Sequence, residues 1–186
     1  MNKIYWLICI SLFIVWQVYP GNPPATEVRA VWLTTNYGLD WPTNRTDIDE
    51  QKKELIEILD NLKRFNFNTV FFQSRTRGEV LYRSVIEPMS SVVAPSKLGQ
   101  PAFDPLAFAI EECHKRGLAC HAWVVTYPLG GNKHVKSLGE QSVTRKQPSI
   151  ALQYKNEWFL DPSNPKTDDY LIAIVNEIIT NYDHIK

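Results

Sequence analysis

Residues 104–125 read DPLAFAIEECHKRGLACHAWVV, a helix, a tight turn and a strand in succession. Asp104 suits a helix cap, and Pro105 suits the first helical position, where no backbone N–H is needed. Leu106, Ala109, Ile110 and Cys113 recur at i, i+3, i+4 and i+7, the spacing of one apolar helix face. Gly117 closes the helix. Residues 119–125 (ACHAWVV) then read as a strand, with Ala119, His121, Trp123 and Val125 on one face. Cys120, Ala122 and Val124 make the other face, small and apolar enough to lie under helices.

The same order extends in both directions. Upstream, residues 28–34 (VRAVWLT) predict a strand and residues 48–65 a helix with Leu55, Ile58, Leu59 and Leu62 on its buried stripe. Asp47 is its expected cap, and Asn66 its left-handed stop. Residues 69–73 (TVFFQ) are a β-branched and aromatic strand. Downstream, Asn164 and Pro165 open a third helix with Leu171, Ile174, Val175, Ile178 and Tyr182 on one face. The β-α-β-α-β-α order implies an α/β fold with parallel strands and right-handed crossovers. The strand-to-helix connections run to about 13, 30 and 39 residues, against roughly 2–6 in ordinary βα loops. The extra chain therefore gathers at the C-terminal ends of the strands, the face that carries sites in α/β proteins. Within the third connection, Gly130-Gly131 reads as a turn.

Composition narrows the functional classes. The 186 residues carry 20 Lys+Arg and 20 Asp+Glu, so no net charge draws the chain to nucleic acid or to an anionic membrane. Residues 1–20 have the layout of a secretory signal peptide: one Lys, an apolar run over residues 5–18, then Pro20 and Gly21. Export follows, to the periplasm, cell envelope or medium, with an uncleaved anchor as the alternative and the membrane met only through this segment. Beyond it, Cys113 and Cys120 sit in helix-face and strand contexts that suit buried thiols. No CxxC or HxxxH spacing, phosphate loop, G-x-S-x-G or H-E-x-x-H occurs, so no metal or cofactor is expected.

On the second strand Thr69, Phe71, Gln73 and Arg75 share the face that matches His121 and Trp123. Gln73 and Arg75 lie at the end that meets the long loops, where a buried amide or guanidinium needs a partner. Either an internal hydrogen-bond network or a ligand supplies it. Tyr37, Trp41, Tyr127 and Trp158 place aromatic rings in the same loops. Flat rings suit the C–H faces of pyranoses, and amide, guanidinium and carboxylate groups suit sugar hydroxyls. Asn36, Asp40, Gln73, Arg75, Arg77 and Asp161 carry such groups.

At these segments the chain resembles the bacterial glycosyl-hydrolase-like family 10 proteins, exported (β/α)8 enzymes acting on glycans. The resemblance rests on VRAVWLTTNYGLDWP, LIEILDNLKRFNFNTVFFQSRTRGEVLY, FDPLAFAIEECHKRGLACHAWVVTYPLG and WFLDPSNPKTDDYLIAIVNEIITNYD, which span most of residues 27–183. It implies that residues 27–186 are the first three β/α units of a TIM-type (β/α)8 barrel, ending before strand 4. It implies glycoside hydrolysis, with peptidoglycan strands as one substrate class, and a cleft lined by Asp40, Gln73, Arg75, His121 and Trp123. Adding the loop residues gives the full expected binding set: Asn36, Asp40, Trp41, Gln73, Arg75, His121, Trp123, Tyr127 and Asp161. The stretch 73–79 (QSRTRGE) departs from the family's Q-V-R-P-x-G-D, and Val125 stands where the family has Asn after H-A-W-F. The family's acidic strand-4 segment, D-G-I-H-F-D-D-Y, would follow the third helix, where this sequence stops at Lys186. Glycosidases need two carboxylates flanking the bond. Among Asp40, Glu79 and Asp161 the sequence marks none as an acid of raised pKa, and no catalytic pair is assigned. The alternative is a glycan-binding envelope module without catalysis.

Overall fold

The computed structural model describes residues 27–93 and 104–183. The N-terminal apolar stretch and residues 184–186 lie outside the described residues. Among the described residues no helix is long and apolar enough to cross a membrane.

Three parallel strands form the centre: β1 (Ala30–Leu33), β2 (Thr69–Thr76) and β4 (Ala119–Val124), with β2 in the middle. A two-residue strand β3 (Glu79–Val80) folds back antiparallel on the far end of β2. The helices are α1 (Ile48–Arg64) between β1 and β2, α2 (Pro105–Lys115) before β4, and α5 (Pro165–Asn181) at the end. Together these make a TIM-barrel-like α/β fold.

Local signals set the helix ends. Asp47 Oδ1 accepts the N–H groups of Asp49 and Glu50 at 2.8 and 3.1 Å, satisfying two donors that the first turn leaves free. Asp104 Oδ1 accepts from Ala107 N at 2.9 Å, and Asn164 Oδ1 from Lys166 N at 3.1 Å. Asn66 and Gly117 both adopt positive φ, 62° and 65°, as the stops of α1 and α2 require. On α1, Leu55 and Leu59 are fully buried, with Ile58 and Leu62 packed beside them. On α5 the buried stripe is Thr167, Tyr170, Ile174 and Ile178. Val175, expected on that stripe, is 45% exposed, because the helix is rotated so that Tyr170 rather than Leu171 leads the buried face. Tyr182 lies just past the helix and donates to Asp104 Oδ2 at 2.6 Å, tying the end of α5 to the cap of α2.

The core lies between the sheet and the helices. Leu33, Val70, Phe72 and Cys120 point into it with Leu55, Leu59, Leu106, Ile110 and Cys113. Cys113 and Cys120 are buried free thiols in contact; that contact and burial hold the Cys120 thiol well above the ordinary range.

The third connection is not an irregular loop. It folds into β5 (Pro128–Gly131), α3 (Asn132–Leu138), α4 (Val143–Lys146), β6 (Ala151–Tyr154) and β7 (Glu157–Leu160). The three strands make a separate antiparallel sheet in the order β5-β7-β6. Gly130-Gly131, expected as a turn, is thus the end of β5, with Gly130 opposite Trp158 and Gly131 opposite Glu157. Gly130 has φ of 91°, and a Cβ there would meet His134 Cδ2 at 2.7 Å, so both backbone and packing demand glycine.

Candidate functional site

The register of the parallel strands lines up one aromatic row. Trp32 lies opposite Phe71, and Phe71 opposite His121. The Trp32 and Phe71 rings stack at 4.4 Å with an interplanar angle of 20°, and Trp123 meets Trp32 edge-on at 4.8 Å. His121 lies 4.9 Å from the Phe71 ring. These side chains alternate with the core-facing Leu33, Phe72 and Cys120, so they occupy the sheet face away from the helices. Trp32 keeps 57% of its surface exposed. Sequence reasoning singled out His121, Trp123 and Phe71 on this face but passed over Trp32. The same two-residue alternation applied to β1, with the parallel register, reaches it.

Above this row, at the C-terminal ends of the strands, Gln73 organises the loop after β1. Its Oε1 accepts the N–H groups of Thr35 and Asn36, each at 2.8 Å, and the hydroxyls of Thr34 and Thr35 at 2.8 and 3.2 Å. The Gln73 oxygen is thereby consumed in holding the turn. Asp40 completes it by accepting from Thr34 N at 2.9 Å. The turn carries Tyr37 at positive φ (56°), and the Arg77 guanidinium lies 3.9 Å from the Tyr37 ring centroid. Two polar atoms here, Asn36 Oδ1 and Arg77 Nε, are enclosed without a hydrogen-bond partner.

Two residues of the expected set lie elsewhere. Arg75 does not share the face of Gln73. Gln73 pairs with Trp123, but Arg75 pairs with Val124, so Ser74 is an extra residue in β2 and the alternation slips there. Arg75 therefore turns to the helix side. Its Nη2 and Nε meet Glu87 Oε1 and Oε2 at 2.6 and 2.8 Å, and Tyr170 of α5 donates to Glu87 Oε1 at 2.6 Å. Its Nη1 donates to the carbonyls of Val125 and Thr126. Of the two roles open to Arg75, it fills the internal network. Trp41, expected on the rim, is fully buried: its indole N–H donates to Gln51 O at 2.8 Å and its ring leans on Phe72 at 5.7 Å. Burying that large apolar ring against α1 outweighs leaving it in the loop.

The insert brings further groups to the same end of the strands. Tyr127 is exposed and accepts Leu160 N through its carbonyl at 2.7 Å. Asp161 follows β7 and accepts the N–H and hydroxyl of Ser163 at 2.9 and 2.7 Å. Those hydrogen bonds, the hydroxyl first, hold its carboxyl below the ordinary range.

Glu79 is the acid that sequence reasoning left unmarked. The Arg77-Gly78 pair, both at positive φ, closes a two-residue hairpin between β2 and β3 and turns Glu79 inward opposite Thr76. That dipeptide is the signal that could have placed it. Glu79 is almost wholly buried, and burial raises its carboxyl pKa. Its Oε1 accepts Ser91 N at 3.1 Å, and its Oε2 lies 3.5 Å from the Ser90 hydroxyl and 3.6 Å from His134 Nε2. His134 Nε2 also lies 2.9 Å from Arg77 O. Glu79 thus links the hairpin, the segment after it and α3 of the insert. Among the described residues no group of three or more His, Cys, Asp or Glu is arranged to hold a metal ion.

The chain is 31% identical to glycosyl hydrolase YngK of Bacillus subtilis (strain 168), covering 95% of this chain and 35% of YngK. It is 34% identical to glycosyl hydrolase DigH of Escherichia coli (strain K12), covering 87% of this chain and 42% of DigH. The chain therefore spans less than half the length of these relatives. Two solved structures share its fold. One is a hypothetical protein from Ruminiclostridium thermocellum, with TM-score 0.51 and 19% identity, covering 72% of this chain and 67% of that one. The other is the maltogenic alpha-amylase AmyB from Thermotoga neapolitana, with TM-score 0.51 and 14% identity, covering 83% of this chain and 37% of that one. Residues 27–185 match the family described as glycosyl hydrolase-like 10, and the chain belongs to that family.

Proposed function

We propose that the parallel sheet is the first three β/α units of a TIM-type (β/α)8 barrel acting on cell-envelope glycans, peptidoglycan strands among them, outside the cytoplasm. The observation that carries this reading is the row Trp32, Phe71, Trp123 with His121, running up to the polar turn at Asn36, Tyr37 and Arg77. Flat rings followed by amide and guanidinium groups match the alternating C–H faces and hydroxyls of a saccharide. Asn36, His121, Trp123 and Tyr127 contact the glycan. Asp40, Gln73 and Asp161 shape the loops that present them.

In this reading the described residues hold the glycan rather than cleave it. Glycoside hydrolysis needs one carboxyl to protonate the leaving oxygen and a second to act as base or nucleophile. Each candidate acid is committed locally: Asp40 to Thr34 N, Asp161 to Ser163, Glu79 to Ser90 and Ser91. The purified chain incubated with glycan strands should retain them and release no new reducing ends. Trp32→Ala and Trp123→Ala should each weaken retention by about tenfold, the loss expected from truncating a central aromatic anchor. Release of reducing ends by the purified chain would show that these residues suffice for cleavage. Absence of retention would remove the glycan reading.

A further inference from the structure

The insert leaves and re-enters the body of the chain through one narrow neck. It departs after β4 and returns at the end of β7, where the Leu160 N–H donates to Tyr127 O at 2.7 Å, so the two passages lie side by side. Asp161 N and Asn164 Nδ2 donate to Ile150 O and Ser149 O at 2.8 and 2.7 Å and anchor the same neck. A segment joined in this way can swing as a body about a few hinge residues. Beyond the neck, the insert rests on the hairpin of β2 and β3. A Cβ on Gly78 of that hairpin would lie 3.3 Å from Leu129 Cδ2 and 3.7 Å from Val143 Cγ2, and both insert residues are buried. Beside this apolar contact sits a polar one. His134 Nε2 lies 2.9 Å from Arg77 O. A carbonyl only accepts, so this nitrogen carries the proton when the ring is neutral. The same nitrogen lies 3.6 Å from Glu79 Oε2, which makes an ion pair when the ring is charged.

We propose that the insert is a flap hinged at this neck, that the Glu79–His134 contact latches it onto the β2–β3 hairpin, and that the latch is closed in acid and loosens as pH rises. Glu79 is the group that senses the proton. The charged groups facing it are His134 from α3 and Arg77 from the hairpin turn, while the segment after β3 supplies the uncharged Ser90 and Ser91. With the insert in place, burial raises the Glu79 carboxyl pKa against the opposing His134 and Arg77 charges. Lifting α3 away would return the carboxyl towards water and its ordinary range. The closed form therefore binds the proton more tightly than the open one, and by linkage lower pH favours closure. His134 acts in the same direction: charged, it pairs with Glu79; neutral, it keeps only the Arg77 carbonyl. The rim shares the motion. Arg77 holds His134 through its carbonyl while its guanidinium lies over Tyr37, so opening the flap releases the turn that carries Tyr37.

The flap does not depend on what the sheet binds, and its test needs no ligand. Hydrogen exchange of the full chain, read by mass spectrometry and corrected for the intrinsic exchange rate, is followed between about pH 5 and 8, where an imidazole changes charge. Insert amides are compared with β2 amides in the same sample. In the natural chain, insert protection should fall by about tenfold against β2 as pH rises, the effect of a tenfold difference in proton affinity between closed and open forms. Glu79→Gln, which removes the charge at nearly constant shape, should flatten that dependence. His134→Gln keeps a donor for the Arg77 carbonyl but carries no charge, and should shrink it. His134→Leu loses both contacts and should lower insert protection at every pH with β2 unchanged. Insert and β2 amides exchanging together under every condition would mean that there is no flap. A pH dependence that survives in Glu79→Gln or is undiminished in His134→Gln, or insert protection untouched by His134→Leu, would mean that there is no latch. Any of these results overturns the inference.

Discussion

Trp41 and Glu79 show how much one side chain's surroundings alter its role. Trp41 has the composition of a carbohydrate platform, an indole in a long loop beside Asp40, yet it is a core residue. Trp41→Ala should therefore destabilise the chain by about 3–5 kcal/mol, as for other large aromatic truncations in cores. Urea unfolding followed by circular dichroism checks this, and an unchanged midpoint would return Trp41 to the rim. Glu79 has the opposite history: an unremarkable acid in sequence that burial has made hard to ionise. Its folded-state pKa lies above its unfolded value, so the folded chain holds the proton more tightly over the window between the two. Its contribution to stability is full below the ordinary carboxylate pKa and is lost as pH rises through the elevated one. Unfolding midpoints from pH 4 to 7 should carry that downward component in the natural chain, and Glu79→Gln should remove it.

Between elements, the buried contact of Arg75, Glu87 and Tyr170 joins β2, the segment after β3 and α5. Burial and then the Glu87 carboxylate push the Tyr170 phenol above its ordinary pKa, so it stays a donor to that carboxylate. Desolvating two charges is expensive, and removing one partner leaves the other stranded. Glu87→Gln should cost about 3–5 kcal/mol, while Arg75→Met with Glu87→Leu should recover most of that loss. The comparison is made by chemical denaturation of both variants. A double variant no better than the single one would mean that the contact holds the α5 orientation as well as balancing charge. The insert shows the same dependence on contact between elements: His134 of α3 reaches Glu79 only because Gly130 of β5 has no side chain.

Across the chain as a unit, the exposed surface is uneven. Among the described residues β1 and β4 each pair along one edge only. The aromatic row adds Trp32, and α5 adds Ile172, Val175 and Ile179, an apolar strip at helical spacing on the side away from the core. Apolar surface of this extent on a sheet and a helix favours association. Sedimentation velocity over a range of concentrations should show mass rising with concentration, and Ile172→Ser with Ile179→Ser should lower it. A monomer at all concentrations would mean that these faces are covered from within the chain.

The order of the three parallel strands and the three long helices, the boundaries of those helices and the buried thiols were legible in the amino-acid sequence. Caps at Asp47, Asp104 and Asn164 and stops at Asn66 and Gly117 act over a few residues, so neighbouring letters determine them. Family membership was legible for the same reason, since its motifs are contiguous. The facing of Arg75, the burial of Trp41, the elevation of Glu79 and the small antiparallel sheet emerged from the packed chain. Each depends on a partner far along the sequence: Val124 across the slipped register, Gln51 and Phe72 around the indole, His134 beside the acid. Strand alternation predicts which way a side chain points only until one residue is left unpaired, and at Ser74 the cross-strand contact with β4, more than thirty residues away in the chain, decides the face.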